Sequence, residues 1–308
     1  MLAIISPGQG SQSPGMLTPW LEIPRNADLT DSWGTTIGLD LKKIGQFAPS
    51  DDIKSTDIAQ LLIFSVSVLS ALELNIKPQK PGSVIFAGHS VGEFAAYALA
   101  GVFDFNDALK IVAARGKSML AATRLNANTG MYAVMGGERK SVIQRLEELN
   151  LTPANINSRN QVIAAGEIKN LEILKNQPPE GSRVIPLEVS AAFHSSFMQS
   201  AVSEVRAAFE HVTVHNPVQL ICTNKNGEFI TSRDEIIENL INQVVSPVRW
   251  DLCQQTFVKS GVTGILELSP SGVLSGISKK ENPDIETFGI KSPKDIDEAN
   301  EFIKRHIG

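Results

Sequence analysis

The chain has 308 residues, of which 42% are hydrophobic, and a formal net charge of −5 at pH 7. This length and apolar content suffice for one large domain or two ordinary ones with a sizeable core. The mildly acidic balance, without a long basic run, excludes nucleic acid and an anionic membrane as main partners. An acidic protein partner would need a local basic patch.

The cysteines and the apolar segments indicate the compartment. Cys222 and Cys253 lie far apart in the sequence and in no metal-ligand spacing. They exclude a disulfide framework and fit a reducing compartment, and we expect no metal site. The amino terminus has no basic leader, and the apolar segment Leu61–Leu74 is too short to span a bilayer, so we expect a buried helix there. We therefore expect a cytoplasmic protein.

Short apolar runs along the chain predict buried strands of a mainly parallel sheet. The three clearest are Leu2–Ile5, Val84–Ala87 and Val262–Leu268, with helical patterns between them. This alternation predicts an α/β architecture. The first strand leads into the loop Pro7–Gln12, whose glycines could present a backbone N–H to an oxyanion. The loop lacks phosphate-loop spacing, and a flexible surface turn explains it as well.

The second strand leads into Gly88–Gly92, which reads GHSVG. This G-x-S-x-G pattern, after a strand and before a helix, is typical of a nucleophilic serine on a sharp turn. The free N–H groups at the helix N-terminus favour negative charge that develops near the serine oxygen. The pattern predicts Ser90 as a nucleophile, and a capping serine in an ordinary glycine turn is the alternative.

The next helical pattern, Asp104–Leu120 with Asp104 as N-cap, places Arg115 on an apolar stripe. An unpaired buried charge is costly, so Arg115 needs a partner. The partner could be an internal carboxylate or the carboxylate of a bound substrate, held by the planar fork of the guanidinium.

The middle of the chain reads as a separate unit of the order βαββαβ, the ferredoxin-like pattern. Its predicted elements are strand Met131–Met135, helix Arg139–Leu149, strands Ala154–Asn157 and Gln161–Ala165, helix Leu171–Lys175 and strand Arg183–Val189. We expect an inserted small domain over residues 129–195, a large domain over 1–128 and 196–308, and a ligand cleft between them.

Five histidines are candidates for a general base. His89 adjoins Ser90 on a tight corner, where neighbouring side chains usually point apart, and His306 lies in the tail. His211 and His215 lie in a segment with strand-like alternation. His194 follows the last strand of the middle unit and precedes a helical run capped by Ser195 or the next serine, which is a plausible functional loop.

Five motifs in a fixed order carry a resemblance to a known family. They are Pro7–Gln12, Ala87–Glu93, Ala113–Met119, Ala191–Met198 and Ser246–Trp250. With them the chain resembles malonyl-CoA:acyl-carrier-protein transacylases, the loading enzymes of bacterial fatty-acid synthesis, and is most similar to the actinobacterial type. The similarity runs from Leu2 to about Pro293.

The resemblance implies an α/β-hydrolase-like large domain with a ferredoxin-like insert, and it assigns roles. Ser90 would be the nucleophile and His194 its base. The backbone N–H groups of Gln9 and Val91 would form the oxyanion hole, Arg115 would bind the malonyl carboxylate, and the main-chain carbonyl of Gln243 would orient His194 in place of a triad acid.

The resemblance also implies the reaction and the partners. The malonyl group of malonyl-CoA would pass through a malonyl-serine to the phosphopantetheine thiol of acyl carrier protein, for fatty-acid elongation. We expect a monomer without a cofactor of its own. Lys279 and Lys280 are the candidate docking patch for the acidic carrier, and a solvated helix end is the alternative.

Three other functions remain open at this point. An α/β-hydrolase-type esterase or thioesterase would use the same serine and histidine, but it should supply an acid to the histidine and gives Arg115 no task. A catalytically idle carrier-binding module would not need these three side chains. The same transacylase chemistry could serve a polyketide pathway.

Overall fold

The computed structural model describes residues 1–76, 82–189 and 191–307 and shows a mixed α/β protein with two separate sheets. Ser190, inside the predicted 129–195 unit, lies outside the described residues. The strands are β1 (Leu2–Ser6), β2 (Val84–Gly88), β3 (Thr129–Gly136), β4 (Thr152–Ser158), β5 (Gln161–Glu167), β6 (Ser182–Pro186), β7 (Leu220–Cys222), β8 (Gly264–Glu267) and β9 (Glu286–Gly289).

The helices surround both sheets. The α-helices are α1 (Thr18–Leu21), α2 (Pro24–Ile37), α3 (Leu41–Phe47), α4 (Ser50–Ile53), α5 (Thr56–Leu72), α6 (Gly92–Leu99), α7 (Phe105–Leu125), α8 (Arg139–Glu148), α9 (Ile168–Asn176), α10 (Val202–Phe209), α11 (Arg233–Asn242), α12 (Trp250–Lys259), α13 (Val273–Glu281) and α14 (Ile296–His306). Short 3-10 helices span Ser196–Ala201, Gln243–Val245 and Pro293–Asp295.

The larger sheet is parallel, with the strand order β7-β2-β1-β8-β9. Its central strands β1, β2 and β8 are buried along their whole length, which explains their continuous apolar sequences. All three predicted strands are confirmed, although the third begins at Gly264 rather than Val262. The edge strands β7 and β9 were not predicted, because three or four residues show no usable periodicity.

Helix α5 contains the long apolar segment and is buried against the parallel sheet and its neighbouring helices. It begins at Thr56 and ends at Leu72, and every residue from Ala59 to Ala71 is buried. The predicted buried helix is therefore confirmed, with an earlier start. Within residues 1–76, 82–189 and 191–307, no helix is long and apolar enough to cross a membrane.

The middle of the chain forms the second sheet, which is antiparallel with the strand order β4-β5-β3-β6. Its elements follow the predicted order βαββαβ. Strand β6 ends at Pro186 rather than Val189, because the Val189 N–H turns back onto the Leu187 carbonyl. Two backbone bonds tie this sheet to the rest of the chain: Ile156 N–H donates to the Val248 carbonyl, and Val248 N–H donates to the Ala154 carbonyl, each at 2.9 Å.

The segment with His211 and His215 is not a strand, so that prediction is wrong. Its backbone bonds go to a turn instead: His215 N–H donates to the Val102 carbonyl at 2.7 Å, and Val218 N–H donates to the Ala100 carbonyl at 2.9 Å. Val214 packs into the core between them. The strand-like alternation in the sequence therefore comes from the burial of one side chain, Val214, in an irregular segment.

The corner between β2 and α6 depends on two glycines. A Cβ on Gly88 would lie 2.0 Å from the carbonyl carbon of Gly92, and a Cβ on Gly92 would lie 2.3 Å from the Ser6 carbonyl oxygen. His89 N–H donates to that same oxygen at 3.0 Å. The end of β1 and the corner are thus in direct backbone contact, with no room for a side chain.

We expect Gly92→Ala to lower the free energy of unfolding by about 1–3 kcal/mol, because the new methyl group meets backbone that cannot rotate away. Gly276→Ala is the matched control, since it lies in α13 with no atom within 4 Å of the new Cβ. The control should be stabilised by about 0.5–1 kcal/mol through helix propensity. Urea unfolding followed by circular dichroism measures both, and equal effects would contradict the steric account.

Candidate active site

Ser90 lies at the corner between β2 and α6 in a strained backbone conformation. Its φ is 53°, in the left-handed region, where a residue other than glycine costs about 1–3 kcal/mol. Asn224 holds the strained turn from both sides: its Oδ1 accepts from Ser90 N–H at 2.8 Å, and its Nδ2 donates to the Gly88 carbonyl at 2.6 Å. The surrounding structure therefore fixes the position of the Ser90 hydroxyl.

His194 is the histidine that the structure brings to Ser90. Its Nε2 lies 2.8 Å from Ser90 Oγ, and its Nδ1 lies 2.8 Å from the main-chain oxygen of Gln243. A carbonyl oxygen only accepts, so Nδ1 carries the proton and Nε2 is free to accept one from the serine. His194 also has a left-handed φ of 56°, which places the ring over the corner.

The protonation state of His194 follows from its surroundings. Burial and the positive charge of Arg115 lower the pKa of His194 to about 3, and the hydrogen bond to the Gln243 carbonyl opposes the shift only in part. The imidazole is thus neutral near pH 7 and can accept a proton. Within the described ranges no carboxylate contacts its Nδ1, so the triad acid of a hydrolase is replaced by a main-chain dipole.

Arg115, on α7, is 1% exposed and points at the serine. Its Nη1 donates to Gln60 Oε1 at 2.6 Å, and its Nη2 donates to Gln243 Oε1 at 2.7 Å and to Ser90 Oγ at 3.2 Å. Burial lowers the pKa of Arg115 to about 9, so the guanidinium stays charged at neutral pH.

The internal carboxylate partner that the sequence left open for Arg115 is absent from the described part of the chain. No Asp or Glu there lies within ion-pairing distance of the guanidinium, and its Nε has no hydrogen-bond partner. Neutral amide oxygens solvate the cation without neutralising it. The site therefore favours a ligand that brings its own negative charge.

An inner cavity of about 80 Å³ joins the predicted residues. Ser90, His194 and Arg115 line it together with Gln9, from the loop after β1, and Val91, at the start of α6. Among the hydrogen bonds of the described residues, none is donated by the backbone N–H of Gln9 or Val91. Both groups thus lie near the serine with unused donors, and their role as an oxyanion hole stays a prediction.

The inner cavity opens into an outer cavity of about 700 Å³ between the two sheets. Its walls include Gln9, His89, residues of β4 and one face of α13. His89 does not turn toward the serine, because its Nε2 bonds Asn157 Oδ1 at 2.9 Å. Ser90 does not line the outer cavity, which borders the inner one through residues common to both, among them Gln9 and His89.

Helix α13 carries the predicted docking pair. Lys279 and Lys280 are exposed in its last turn, and Lys280 also lines the outer cavity. The buried carboxylate of Glu267 fixes the other end of the helix by accepting from the backbone N–H groups of Gly272, Leu274 and Ser275 at 2.8–3.0 Å. Lys280 thus borders the outer cavity and Lys279 is its exposed neighbour, and the part of the pair in docking stays a prediction.

Three side chains that hold the site were not predicted from the sequence. Asn224 follows the short strand β7, which gave no pattern. Gln60 is a lone amide within the apolar helix α5, and that isolation was a usable signal. Glu93 follows the serine motif and is 2% exposed, and only the folded structure reveals its partners.

The chain is similar to known proteins over most of its length. The acyl transferase domain family matches residues 4–285 of the chain. A malonyl CoA-acyl carrier protein transacylase of Mycobacterium tuberculosis is 42% identical over 299 residues, which cover 97% of this chain and 99% of that protein. One of Bacillus subtilis is 32% identical over 314 residues, covering 98% of this chain and 97% of that protein.

Solved structures show the same fold. The crystal structure of MCAT from Mycobacterium tuberculosis matches with a TM-score of 0.93 at 42% identity and covers 97% of this chain and 99% of that one. A malonyl-transacylase in complex with a holo type II PKS acyl-carrier protein matches with a TM-score of 0.90 at 28% identity and the same coverage. The shared fold and the near full-length identity lead to one conclusion: the chain belongs to the malonyl CoA-acyl carrier protein transacylase family.

Proposed function

We propose that the protein transfers a malonyl group from malonyl-CoA to the phosphopantetheine thiol of an acyl carrier protein, through a malonyl ester of Ser90. One observation carries the proposal: the buried guanidinium of Arg115, which no carboxylate of the described residues contacts directly, lies 3.2 Å from Ser90 Oγ. A nucleophile beside such a cation suits an acyl group with its own carboxylate. The names of the relatives support the same substrate and acceptor.

The first half of the reaction loads the serine. His194 Nε2 takes the Ser90 proton, and Oγ attacks the thioester carbonyl. The backbone N–H groups of Gln9 and Val91 stabilise the resulting oxyanion, and losing one such donor typically costs about 3 kcal/mol. The C–S bond then breaks, and the coenzyme A sulfur leaves with the proton from His194.

The second half unloads the serine by the same steps in reverse. His194 takes the proton of the carrier's phosphopantetheine thiol, the sulfur attacks the malonyl ester, and Ser90 Oγ recovers its proton. Both thiols would reach the serine through the outer cavity, whose mouth carries Lys280. These steps use groups of this chain and of the two thioesters, and we propose that no further cofactor takes part.

Arg115 gives the site its selectivity in this scheme. A malonyl carboxylate would accept from the guanidinium, including the Nε that has no hydrogen-bond partner, whereas an acetyl group would leave the cation without an anion. The Gln243 carbonyl on His194 favours this reading over a thioesterase, which would place an acid there. Fatty-acid elongation is the proposed pathway, and polyketide synthesis would use the same chemistry.

We further propose an α/β-hydrolase-like large domain over residues 1–128 and 196–308, with a ferredoxin-like domain inserted at 129–195. The parallel sheet, the serine corner and the antiparallel order β4-β5-β3-β6 support this description. A cytoplasmic location is supported by the free, buried thiols of Cys222 and Cys253. A monomer remains our proposal for the oligomeric state.

Brief mixing of the wild-type protein with malonyl-CoA should give an intact mass increased by one malonyl group. Ser90→Ala should give no adduct, because the only proposed nucleophile is removed. Holo carrier protein should discharge the adduct. Release of free malonate without an adduct would indicate a hydrolase, and the absence of both adduct and turnover would contradict an enzyme.

Arg115→Met should lower the rate constant of acylation by malonyl-CoA by about 100-fold, since it removes charge-assisted hydrogen bonds to the carboxylate. Acylation by acetyl-CoA should not fall. Arg206→Met is a control, because Arg206 forms an exposed ion pair with Glu238 on the surface. A parallel loss for both donors would count against a carboxylate-binding role.

Lys279→Glu combined with Lys280→Glu should raise the KM for the carrier protein several-fold, because like charges repel an acidic partner. The KM for malonyl-CoA should stay the same. Lys169→Glu with Lys175→Glu, on α9, changes the net charge equally at a distant surface. If the carrier kinetics do not change, or change equally in both double variants, the docking patch is elsewhere.

A further inference from the structure

We propose that Glu93 is a positioning residue that fixes the side-chain amide of Gln243 and so holds Arg115 for the substrate carboxylate. The inference deepens the proposed function and rests on it. Glu93 lines neither cavity and touches no reacting atom, so it acts on the reaction through its hydrogen-bond partners, of which Gln243 is the one that contacts Arg115.

Glu93 lies in the first turn of α6, three residues beyond the nucleophile, and its carboxylate is buried. Oε1 accepts from the backbone N–H of Asn224 at 2.7 Å, and Oε2 accepts a hydrogen bond from Gln243 Nε2. Both carboxylate oxygens are therefore acceptors. Asn224 also holds the strained turn at Ser90, so the Glu93 carboxylate supports both that turn and the side-chain amide of Gln243.

The Gln243 amide has only one orientation that satisfies its neighbours. Its Nε2 faces two acceptors, the Glu93 carboxylate and the Ser90 carbonyl at 3.0 Å. Its Oε1 consequently faces Arg115 Nη2 at 2.7 Å. Because an amide has distinct donor and acceptor ends, turning it over would set donor against donor at Arg115.

The same arrangement keeps the negative charge of Glu93 away from the guanidinium. Gln243 stands between them, and no ion pair within 4.0 Å joins Glu93 and Arg115. A carboxylate placed directly on Arg115 would occupy the position that a malonyl group needs. The Gln243 amide thus orients the Arg115 guanidinium without neutralising its charge.

Opposing effects act on the ionisation of Glu93. Burial raises the pKa of Glu93 to about 7, and the hydrogen bonds from Asn224, Gln243 and Thr223 and the charge of Arg115 oppose the shift. The other titratable groups that interact with it are Tyr97 on its own helix and Cys253 on α12. Protonation would turn one acceptor oxygen into a donor and give Gln243 Nε2 no partner there.

Glu93→Gln is the main test, because it keeps the size of the side chain. The new side chain has one oxygen, and this oxygen must accept from Asn224 N–H, because that backbone group cannot turn. The new amide nitrogen then faces Gln243 Nε2, so the Gln243 amide has to exchange the positions of its nitrogen and oxygen. We expect the ratio of the acylation rate constants for malonyl-CoA and acetyl-CoA to fall at least tenfold. A purely structural defect would slow both donors equally and leave the ratio unchanged.

A pH profile of the wild-type ratio gives an independent readout. The ratio should fall as the pH drops through about 7, because protonated Glu93 resembles the glutamine variant. In Glu93→Gln, the malonyl-CoA to acetyl-CoA ratio should be low and should not change with pH. His194 does not interfere, since its pKa of about 3 keeps it neutral over this range.

The double variant Glu93→Gln with Gln243→Glu distinguishes the effect of the hydrogen bond between the two side chains from the effect of a negative charge beside Arg115. The pair then regains a donor and an acceptor, so the melting temperature should recover in part, since the new carboxylate cannot donate to the Ser90 carbonyl. The new carboxylate would lie against Arg115, so the malonyl preference should not recover. Tyr97→Phe, one turn along α6, is the matched control for a buried change that does not touch Gln243, and its ratio should equal that of the wild type.

The outcomes separate this inference from the proposed function. If the wild type forms no malonyl-serine, the proposed function fails. If the wild type is loaded but Glu93→Gln keeps its ratio within about twofold, or the double variant recovers the malonyl preference, Glu93 does not position Arg115. If Glu93→Gln does not fold by circular dichroism, the double variant decides, and a folded double variant that keeps the malonyl preference of the wild type overturns the inference.

Discussion

The guanidinium of Arg115 is almost completely buried and donates only to neutral oxygens of the described chain, and this buried charge constrains each of its neighbours. Amide oxygens have to point at it, which fixes the orientation of Gln60 and Gln243. Burial, together with this neighbouring positive charge, keeps His194 neutral. The carboxylate of Glu93 is held one side chain away. The preference for an anionic acyl group that we propose thus follows from the position of this buried charge.

The position of that charge relative to the nucleophile depends on backbone contacts. The end of β1 touches the corner at Gly92, and Asn224 spans the turn from Gly88 to Ser90. These contacts come from three separate parts of the chain that meet at the carboxyl ends of parallel strands. That edge of a parallel sheet is where ligands usually bind, because loops from different strands converge there. The strain at Ser90 persists because each of these parts opposes its relaxation.

Much of this could be predicted from the sequence, because the signals were local. Three features could each be recognised within a short stretch of sequence. They are the strand-turn-helix around Ser90, the apolar helix face that made Arg115 conspicuous, and the order of elements in the second sheet. The choice of His194 among five histidines was different, since periodicity gave only a plausible loop. The resemblance to a family made that assignment, and the 2.8 Å contact with Ser90 agrees with it.

The parts that could not be predicted depend on contacts between distant residues. Asn224 lies 134 positions from Ser90, and Gln243 lies 150 positions from Glu93. No pattern within either segment indicates that they meet. The segment with His211 and His215 shows the reverse problem, because a local alternation there indicated a strand that tertiary contacts replaced with an irregular docking segment.

The carbonyl of Gln243 on His194 has a consequence for the acceptor that the site can use. A carboxylate would stabilise the protonated imidazole strongly, whereas a main-chain dipole does so only weakly, and the histidine is therefore a modest base. A thiol, with an ordinary pKa of about 8.5, gives up its proton to such a base far more readily than water does. In the reaction that we propose, the Ser90 hydroxyl is assisted by Arg115, which donates to its Oγ, whereas free water has no such donor. The acyl ester would then react with sulfur sooner than with water, so a neutral oxygen behind the histidine suits a transferase.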